Sequence, residues 1–312
     1  LRAAQNRGHR FKSRAHDVVI GILLLQTHTG GLAMSPQFWA GKKVFLSGHT
    51  GFKGTWMTLL LQKLGIEVVG IALPSTNESL FSKVEGSMFS ISEYLDIRDR
   101  NAVNQVFAKY SPSAVIHLAA QPLVLESYAQ PRETFETNVM GTLNVMKASL
   151  QLKDLRAQLI VTTDKVYRNV NKTFGYVETD PLGGQDPYSA SKAMADIAAQ
   201  SWLSSFGNAP TAIARAGNVI GGGDICADRL IPDLIQSHSS GLKPKLRAPN
   251  SIRPWQHVLD CLQGYLLLVD KMLNENVTGE WNFGPNHLIV GTSGTAEEFT
   301  AWHQNNDEYF FV

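Results

Sequence analysis

Within Asp186-Pro187-Tyr188-Ser189-Ala190-Ser191-Lys192, a phenol and a primary amine stand one helical turn apart. Asp186 reads as an N-cap and Pro187 as the first helical position. The apolar pattern from Ala190 to Phe206 continues that helix, so Tyr188 and Lys192 share a face. An unperturbed phenol titrates near pH ~10 and is a poor base at neutral pH. An ammonium one turn away favours the phenolate by charge attraction and moves its pKa towards the working range. The spacing predicts Tyr188 as a general base poised by Lys192. Two such residues on a helix are also commonplace, and the pair gains its weight from the elements that precede it.

Those elements alternate. Lys43 to Ser47 is a short apolar strand, Gly48-His49-Thr50-Gly51-Phe52-Lys53-Gly54 a glycine turn, Thr55 to Leu64 a helix, and Val68 to Ala72 a second strand. Strand, glycine turn, helix, strand is the first unit of a dinucleotide-binding sheet. The glycines let backbone approach a diphosphate seated on the helix N-terminus. An acidic residue that would bind an adenosine ribose is missing from the end of the second strand, where Ile71-Ala72-Leu73-Pro74 stands. The choice between NAD and NADP does not follow from this stretch.

A third strand ends at Tyr94-Leu95-Asp96-Ile97, and Asp99 to Tyr110 is an amphipathic helix. Ala114 to Ala120 is a buried strand running into a small-residue loop, with His117 a satisfied strand histidine. Thr134 to Leu150 is a helix carrying Asn138, and Gln158 to Thr162 a strand. Thr163-Asp164-Lys165 stands at that strand's carboxyl end, where open α/β sheets build their sites. Thr211 to Arg215 is a sixth strand, after which the alternation stops. Gly221-Gly222-Gly223-Asp224, a helix opening at Asp228, and Ile252 to Val258 ahead of the helix Leu259 to Asn274 read as a smaller lid-like domain. Arg253 is the expected diphosphate clamp, because a guanidinium suits bidentate phosphate contact. Arg229 either assists or caps a solvated helix start. The expected organisation is an extension at 1–33, a dinucleotide-binding domain at 34–214, a partial substrate domain at 215–285 and an atypical tail at 286–312, read as a truncated or frame-shifted end.

With 312 residues, 44% of them hydrophobic, the chain can bury a full core. A net charge of +1 argues against nucleic acid or an anionic membrane as partner. Cys226 and Cys261 fit no metal or redox spacing, and the histidines form no metal-binding cluster. A reducing, cytoplasmic compartment is expected. The basic start and the short apolar run Val18 to Leu25 superficially resemble a secretory signal, but Met34-Ser35-Pro36 reads as the native start and the run is too short to span a bilayer.

Together, Gly48, Gly51, Gly54, Asn138, Thr163, Tyr188, Lys192 and Arg253 resemble the extended short-chain dehydrogenase/reductase superfamily, whose glycines share this spacing. The resemblance covers Met34 to Pro285 and is strongest to the CDP-glucose 4,6-dehydratase family of nucleotide-sugar enzymes. Thr163-Asp164-Lys165 is the discriminating tripeptide, since dTDP-glucose relatives carry Thr-Asp-Glu there. Ser35-Pro36-Gln37-Phe38-Trp39 and Arg253-Pro254-Trp255-Gln256-His257-Val258 are also similar to that family.

The resemblance implies a doubly wound, Rossmann-like parallel sheet with a smaller C-terminal substrate domain, and NAD as cofactor. It implies cofactor contacts from Gly48, Thr50, Gly51, Phe52 and Gly54 in the turn, and from Asp96 and Ile97 around the adenine. Leu118, Ala119, Ala120 and Gln121 would run along the cofactor, with Asn138, Tyr188 and Lys192 beyond them. Catalysis would fall to Thr163, Asp164, Lys165, Tyr188 and Lys192, and substrate binding to Asn218, Arg229 and Arg253, with no metal. The implied reaction converts CDP-glucose to CDP-4-keto-6-deoxyglucose by oxidation at carbon 4, loss of water and hydride return to carbon 6. Such products feed dideoxysugars of bacterial lipopolysaccharide O-antigen. Asp164 and Lys165 are the candidates for removing the 5-proton and protonating the departing oxygen. A lysine base would need its pKa depressed by burial or by Lys192; alternatively Lys165 pairs with Asp164 or the substrate diphosphate. The superfamily also implies a homodimer, or dimer of dimers, through the helices Thr134 to Leu150 and Tyr188 to Phe206. Another nucleotide-sugar epimerase or dehydratase, or a non-catalytic dinucleotide-binding relative, stays open as an alternative.

Overall fold

The computed structural model describes residue 39 and residues 41–88, 90–172, 175–207, 209–244, 246 and 253–284. The expected extension at 1–33, the start segment at 34–38 and the tail at 286–312 lie outside these residues. Seven strands form one sheet in the order β3-β2-β1-β4-β5-β6-β9. They are β1 (Lys43–Ser47), β2 (Glu67–Ala72), β3 (Ser90–Tyr94), β4 (Ala114–His117), β5 (Ala157–Val161), β6 (Thr211–Ala216) and β9 (Gly279–Phe283). Every pairing is parallel. Parallel sheets are covered on both faces, which is why β4 and β5 are buried throughout and mostly apolar.

Five longer helices pack on the sheet, α1 (Phe52–Lys63), α2 (Arg100–Tyr110), α3 (Thr142–Ser149), α4 (Pro187–Phe206) and α6 (Val258–Glu275), while α5 (Leu230–Ser239) lines the cavity described below. One apolar layer holds Met57 and Leu61 of α1 with Leu262, Tyr265 and Leu266 of α6. The opposite layer holds Val103 and Phe107 of α2 with Val145 of α3. Thus α6 and β9, both within the segment 215–285 expected as a substrate domain, pack into the main sheet and its core. Its apolar face leaves α6 no alternative, and Gly279 to Phe283 extends the sheet beyond β6. β9 has no counterpart among the strands expected from the sequence. A separate pair, β7 (Val219–Ile220) with β8 (Gln256–His257), lies beyond β6.

The expected helix from Thr134 to Leu150 is interrupted. A short helix Pro131–Phe135 runs into a π-turn at Glu136–Gly141 before α3 begins. Such turns insert a residue and re-aim side chains, often beside functional sites. Here the turn carries Asn138.

The start of α4 forms as its sequence dictates. Asp186 accepts from the Ser189 N–H at 2.9 Å and from its hydroxyl at 2.6 Å, with Pro187 following. Asp196, two turns below Tyr188, meets Arg215 of β6 in a bidentate pair at 2.7 and 2.8 Å. The two side chains are 0% and 1% exposed. Both Asp196 oxygens and most of the Arg215 donors find further partners. Thr162 and Gln200 donate to Asp196, while Arg215 also donates to the Tyr167 hydroxyl and the Glu178 carbonyl. Stranding one charge of such a pair costs about 3–5 kcal/mol, so α4 is held on the sheet in one register. No described helix is long and apolar enough to cross a membrane.

Candidate active site

A cavity of about 1640 Å³ opens along the carboxyl ends of the strands, bounded by the glycine turn, the β4 and β5 loops and the segment 216–237. The turn is built to be approached closely. Gly48 has φ +78°, and a Cβ there would lie 2.9 Å from the Ala119 nitrogen; one on Gly54 would lie 2.0 Å from the Gly48 carbonyl oxygen. Gly51 caps α1 with no side-chain bond. The first N–H groups of α1 are therefore left for a ligand, a cradle that fits a diphosphate.

Gly48, Thr50, Gly51, Phe52 and Gly54 all line this cavity, as do Asp96, Ile97, Leu118, Ala119 and Ala120. Thr50 donates to the Leu73 carbonyl at 2.9 Å, tying the turn to the end of β2. Asp96 is held by the Arg98 guanidinium at 2.6 and 2.8 Å. Gln121 and Asn138, expected to touch the cofactor, stand behind the wall instead. Asn138 is fully buried. It accepts from the Gln121 N–H at 2.8 Å and donates to the Gln121 carbonyl at 3.1 Å and to Ser191 of α4 at 2.9 Å. Its amide is spent on the Gln121 backbone and the Ser191 hydroxyl, so it ties the loop to α4.

His117 continues that scaffold. Thr142 donates its hydroxyl to the Asn138 carbonyl at 2.7 Å, so it must accept from His117 Nε2, 2.9 Å away. Nδ1 is then an acceptor, taking the Ser47 hydroxyl proton at 2.6 Å. The Ser47 oxygen in turn accepts the N–H groups of Leu118 and Ala119, each at 3.1 Å. The donor inventory allows only the neutral Nε2–H tautomer. Burial, with Lys192 nearby, pulls His117 down to about 3.

The acid–base groups meet at the far end. Lys165, Tyr188 and Lys192 line the cavity with Thr163. The Thr163 hydroxyl donates to Asp164 at 2.9 Å, and the Lys165 ammonium lies 3.4 Å from the same carboxylate. Two expectations change here. Lys192 does not turn to the phenol: its ammonium donates to the Val161 carbonyl at 2.9 Å. Burial, then the like charge of Lys53, pulls Lys192 down to about 8 against the opposing pull of Asp196. Burial raises the Tyr188 phenol, and the cation that chiefly draws it back is Lys165, helped by a hydrogen bond with Thr163 and by Arg229. The depression that a Lys165 base requires is likewise reversed, because the adjacent Asp164 charge raises its pKa. Lys165 is held as an ammonium.

Across the cavity, Arg229 pairs with Asp224 at 3.0 Å. Asn218 lines the wall with its amide oxygen buried and without a protein partner, an acceptor left for a ligand. Arg253 lines the same wall. Trp56 of α1 donates to the Gly222 carbonyl at 2.9 Å and pins the 221–224 loop over the turn. Lys53, Trp56 and Asp224 join the site without having been expected from the sequence. Lys53 was accessible as a cation within the glycine turn, whereas the other two depend on contacts far apart in the chain.

The family model described as "Epimerase: NAD dependent epimerase/dehydratase family" matches residues 44–284, and the chain belongs to that family. It is 44% identical over 259 residues to a CDP-glucose 4,6-dehydratase of Salmonella typhimurium, covering 80% of this chain and 72% of that one. It is 29% identical over 258 residues to a dTDP-glucose 4,6-dehydratase of Neisseria meningitidis serogroup B, covering 78% and 71%. A dTDP-glucose 4,6-dehydratase structure from Streptomyces venezuelae with NAD bound superposes with a TM-score of 0.72 at 22% identity, covering 85% and 81% of the two chains. A UDP-glucose 4-epimerase structure from Thermotoga maritima gives 0.71 at 20% identity, covering 86% and 83%. The fold is the Rossmann-like doubly wound sheet of these proteins.

The scaffold histidines set an acid limit. Burial holds His49 at about 4 and His117 at about 3, so both are neutral in the fold while the unfolded chain takes up protons below about pH 6.5. Their stabilisation is complete above that pH and is lost as pH falls towards the folded values. Unfolding free energy from denaturant titrations is expected to fall by about 1.4 kcal/mol per pH unit for each group, with a shallower slope in His117→Asn. A flat profile in that window would contradict the assignment.

Proposed function

We propose that this chain is an NAD-dependent lyase that converts CDP-glucose to CDP-4-keto-6-deoxyglucose. The observation that carries the reading is the meeting of Thr163, Lys165, Tyr188 and Lys192 in one cavity with a glycine turn shaped for a dinucleotide diphosphate. The 44% identical Salmonella relative, named as a CDP-glucose 4,6-dehydratase, supports the choice of substrate. Gly48, Gly51 and the first N–H groups of α1 would hold the cofactor's diphosphate, Asp96 and Ile97 its adenosine end, and Lys192 the end beside Tyr188. NAD, when bound, supplies the hydride acceptor and donor.

Tyr188 takes the proton of the 4-hydroxyl, which Thr163 orients. The resulting 4-ketone acidifies the neighbouring 5-proton. Asp164, the carboxylate of the adjacent pair, accepts that proton. Lys165, kept charged by Asp164, gives its proton to the departing 6-oxygen, and water leaves; the proton held by Asp164 would return to carbon 5 as the hydride returns to carbon 6. Arg253, Arg229 and Asn218 bind the sugar nucleotide's diphosphate from the facing wall. A second copy of the chain is the proposed partner of the exposed apolar side chains Tyr128, Met140, Met194 and Ile197. Met194 and Ile197 lie on α4, and Tyr128 and Met140 on helical segments packed against it.

Incubating CDP-glucose with the purified protein and NAD is expected to give a product one water lighter by mass. Lys165→Met should stop after the first oxidation, with the near-ultraviolet band of reduced nicotinamide persisting. An unchanged substrate mass, or normal turnover by Lys165→Met, would sink the reading. Light scattering should show a dimer that Met194→Asp with Ile197→Asp dissociates; a wild-type monomer would rule out the partner.

A further inference from the structure

The glycine turn carries a charge that the fold does not answer. Lys53 is the second residue of α1, half-buried and on the cavity wall. Its ammonium lies 5.8 Å from the centroid of the Tyr265 ring on α6. That cation–π contact steadies the stem and leaves the N–H donors unspent. Among the described residues no carboxylate pairs with it. Asp96 is taken by Arg98, Asp196 by Arg215 and Asp224 by Arg229. The first turn of α1 holds no acidic residue.

The charge is also felt inside the protein. It adds to the fall that burial imposes on Lys192 across the groove and opposes the rise that burial imposes on the Cys261 thiol of α6, both buried. A freely solvated surface lysine would be screened from such groups. Two ammoniums thus face one groove, with an uncapped helix N-terminus beside Lys53, an arrangement that favours an anion. The cations suited to the substrate, Arg229 and Arg253, belong to segments outside the turn. The anion adjoining Lys53 is then the one that the glycine turn itself cradles.

We propose that Lys53 binds the diphosphate bridge of the dinucleotide, adding a charged side-chain donor to the backbone N–H groups of α1. This rests on reading the groove as the dinucleotide site. The lysine stem crosses towards α6 and the nicotinamide side, so its ammonium draws the diphosphate towards Lys192 and Tyr188.

Lys53→Met keeps an unbranched stem over Tyr265 and removes only the charge; Lys53→Arg keeps the charge. Dissociation constants for NAD and, separately, for CDP are measured by calorimetry on the full chain, with thermal melts of each variant. Lys53→Met is expected to weaken NAD about ten- to a hundredfold, as loss of a charged hydrogen bond does. CDP binding should hold, Lys53→Arg should recover most of the NAD affinity, and in Lys53→Met Lys192 should titrate at higher pH than it does in wild type. The proposal is overturned if Lys53→Met binds NAD as tightly as wild type, or if CDP weakens in place of NAD. It is equally overturned if both ligands weaken alongside a fall in melting temperature that Lys53→Arg shares. A wild-type chain that binds no NAD would overturn the groove assignment as well; wild-type binding with an indifferent Lys53→Met would overturn Lys53 alone.

Discussion

The Asp196–Arg215 pair is the constraint on which the site's geometry depends. Two opposite charges, both removed from water, join α4 to β6. Burying them is favourable only when their donors and acceptors are met. Thr162, Gln200, Tyr167 and the Glu178 carbonyl meet them here. Through Thr162 the pair also fixes the residue just ahead of Thr163-Asp164-Lys165. One electrostatic contact thereby sets the distance between the helix bearing Tyr188 and the loop bearing its partners. Tyr167 carries the lock on to Asn282 of β9 at 2.6 Å, so the last strand of the sheet is registered against the same pair.

Much of this was legible in the sequence because the signals are local. The glycine turn, the Asp186 cap with Pro187, and the apolar runs of β1, β4 and β5 each report their own conformation. The electrostatics were not legible. Helical spacing correctly put Tyr188 and Lys192 on one face, but spacing does not say which acceptor an ammonium will choose. The Val161 carbonyl, free at the end of β5, takes Lys192. Lys165 was expected to need a depressed pKa, and the neighbouring Asp164 raises it instead. The π-turn at Glu136–Gly141 and β9 escaped notice for a similar reason. Neither has a periodicity of its own, and both are imposed by what they pack against.

The distribution of charge makes chemical sense of the cavity. Carboxylates are consumed internally: Asp96 by Arg98, Asp224 by Arg229 and Asp164 by Lys165. Lys53 and Lys192 face the glycine-turn side, and Arg229 and Arg253 line the other. A nucleotide sugar and a dinucleotide each carry a diphosphate, and the site offers positive charge to both. Between them lies the reacting end, where burial raises the phenol above its ordinary value and nearby cations offset only part of the rise. A base of this kind gains its strength from a dry pocket and its availability from charge placed beside it.

That balance is the central claim, and it can be read directly from the ionisation of Tyr188. With ring-labelled tyrosine, the Cζ resonance of Tyr188 can be followed by NMR as pH is raised, in wild type, Lys165→Met and Lys192→Met. The account predicts that losing the Lys165 charge moves the titration to higher pH by more than losing the Lys192 charge does. An unchanged titration in Lys165→Met, with the shift appearing only in Lys192→Met, would contradict it.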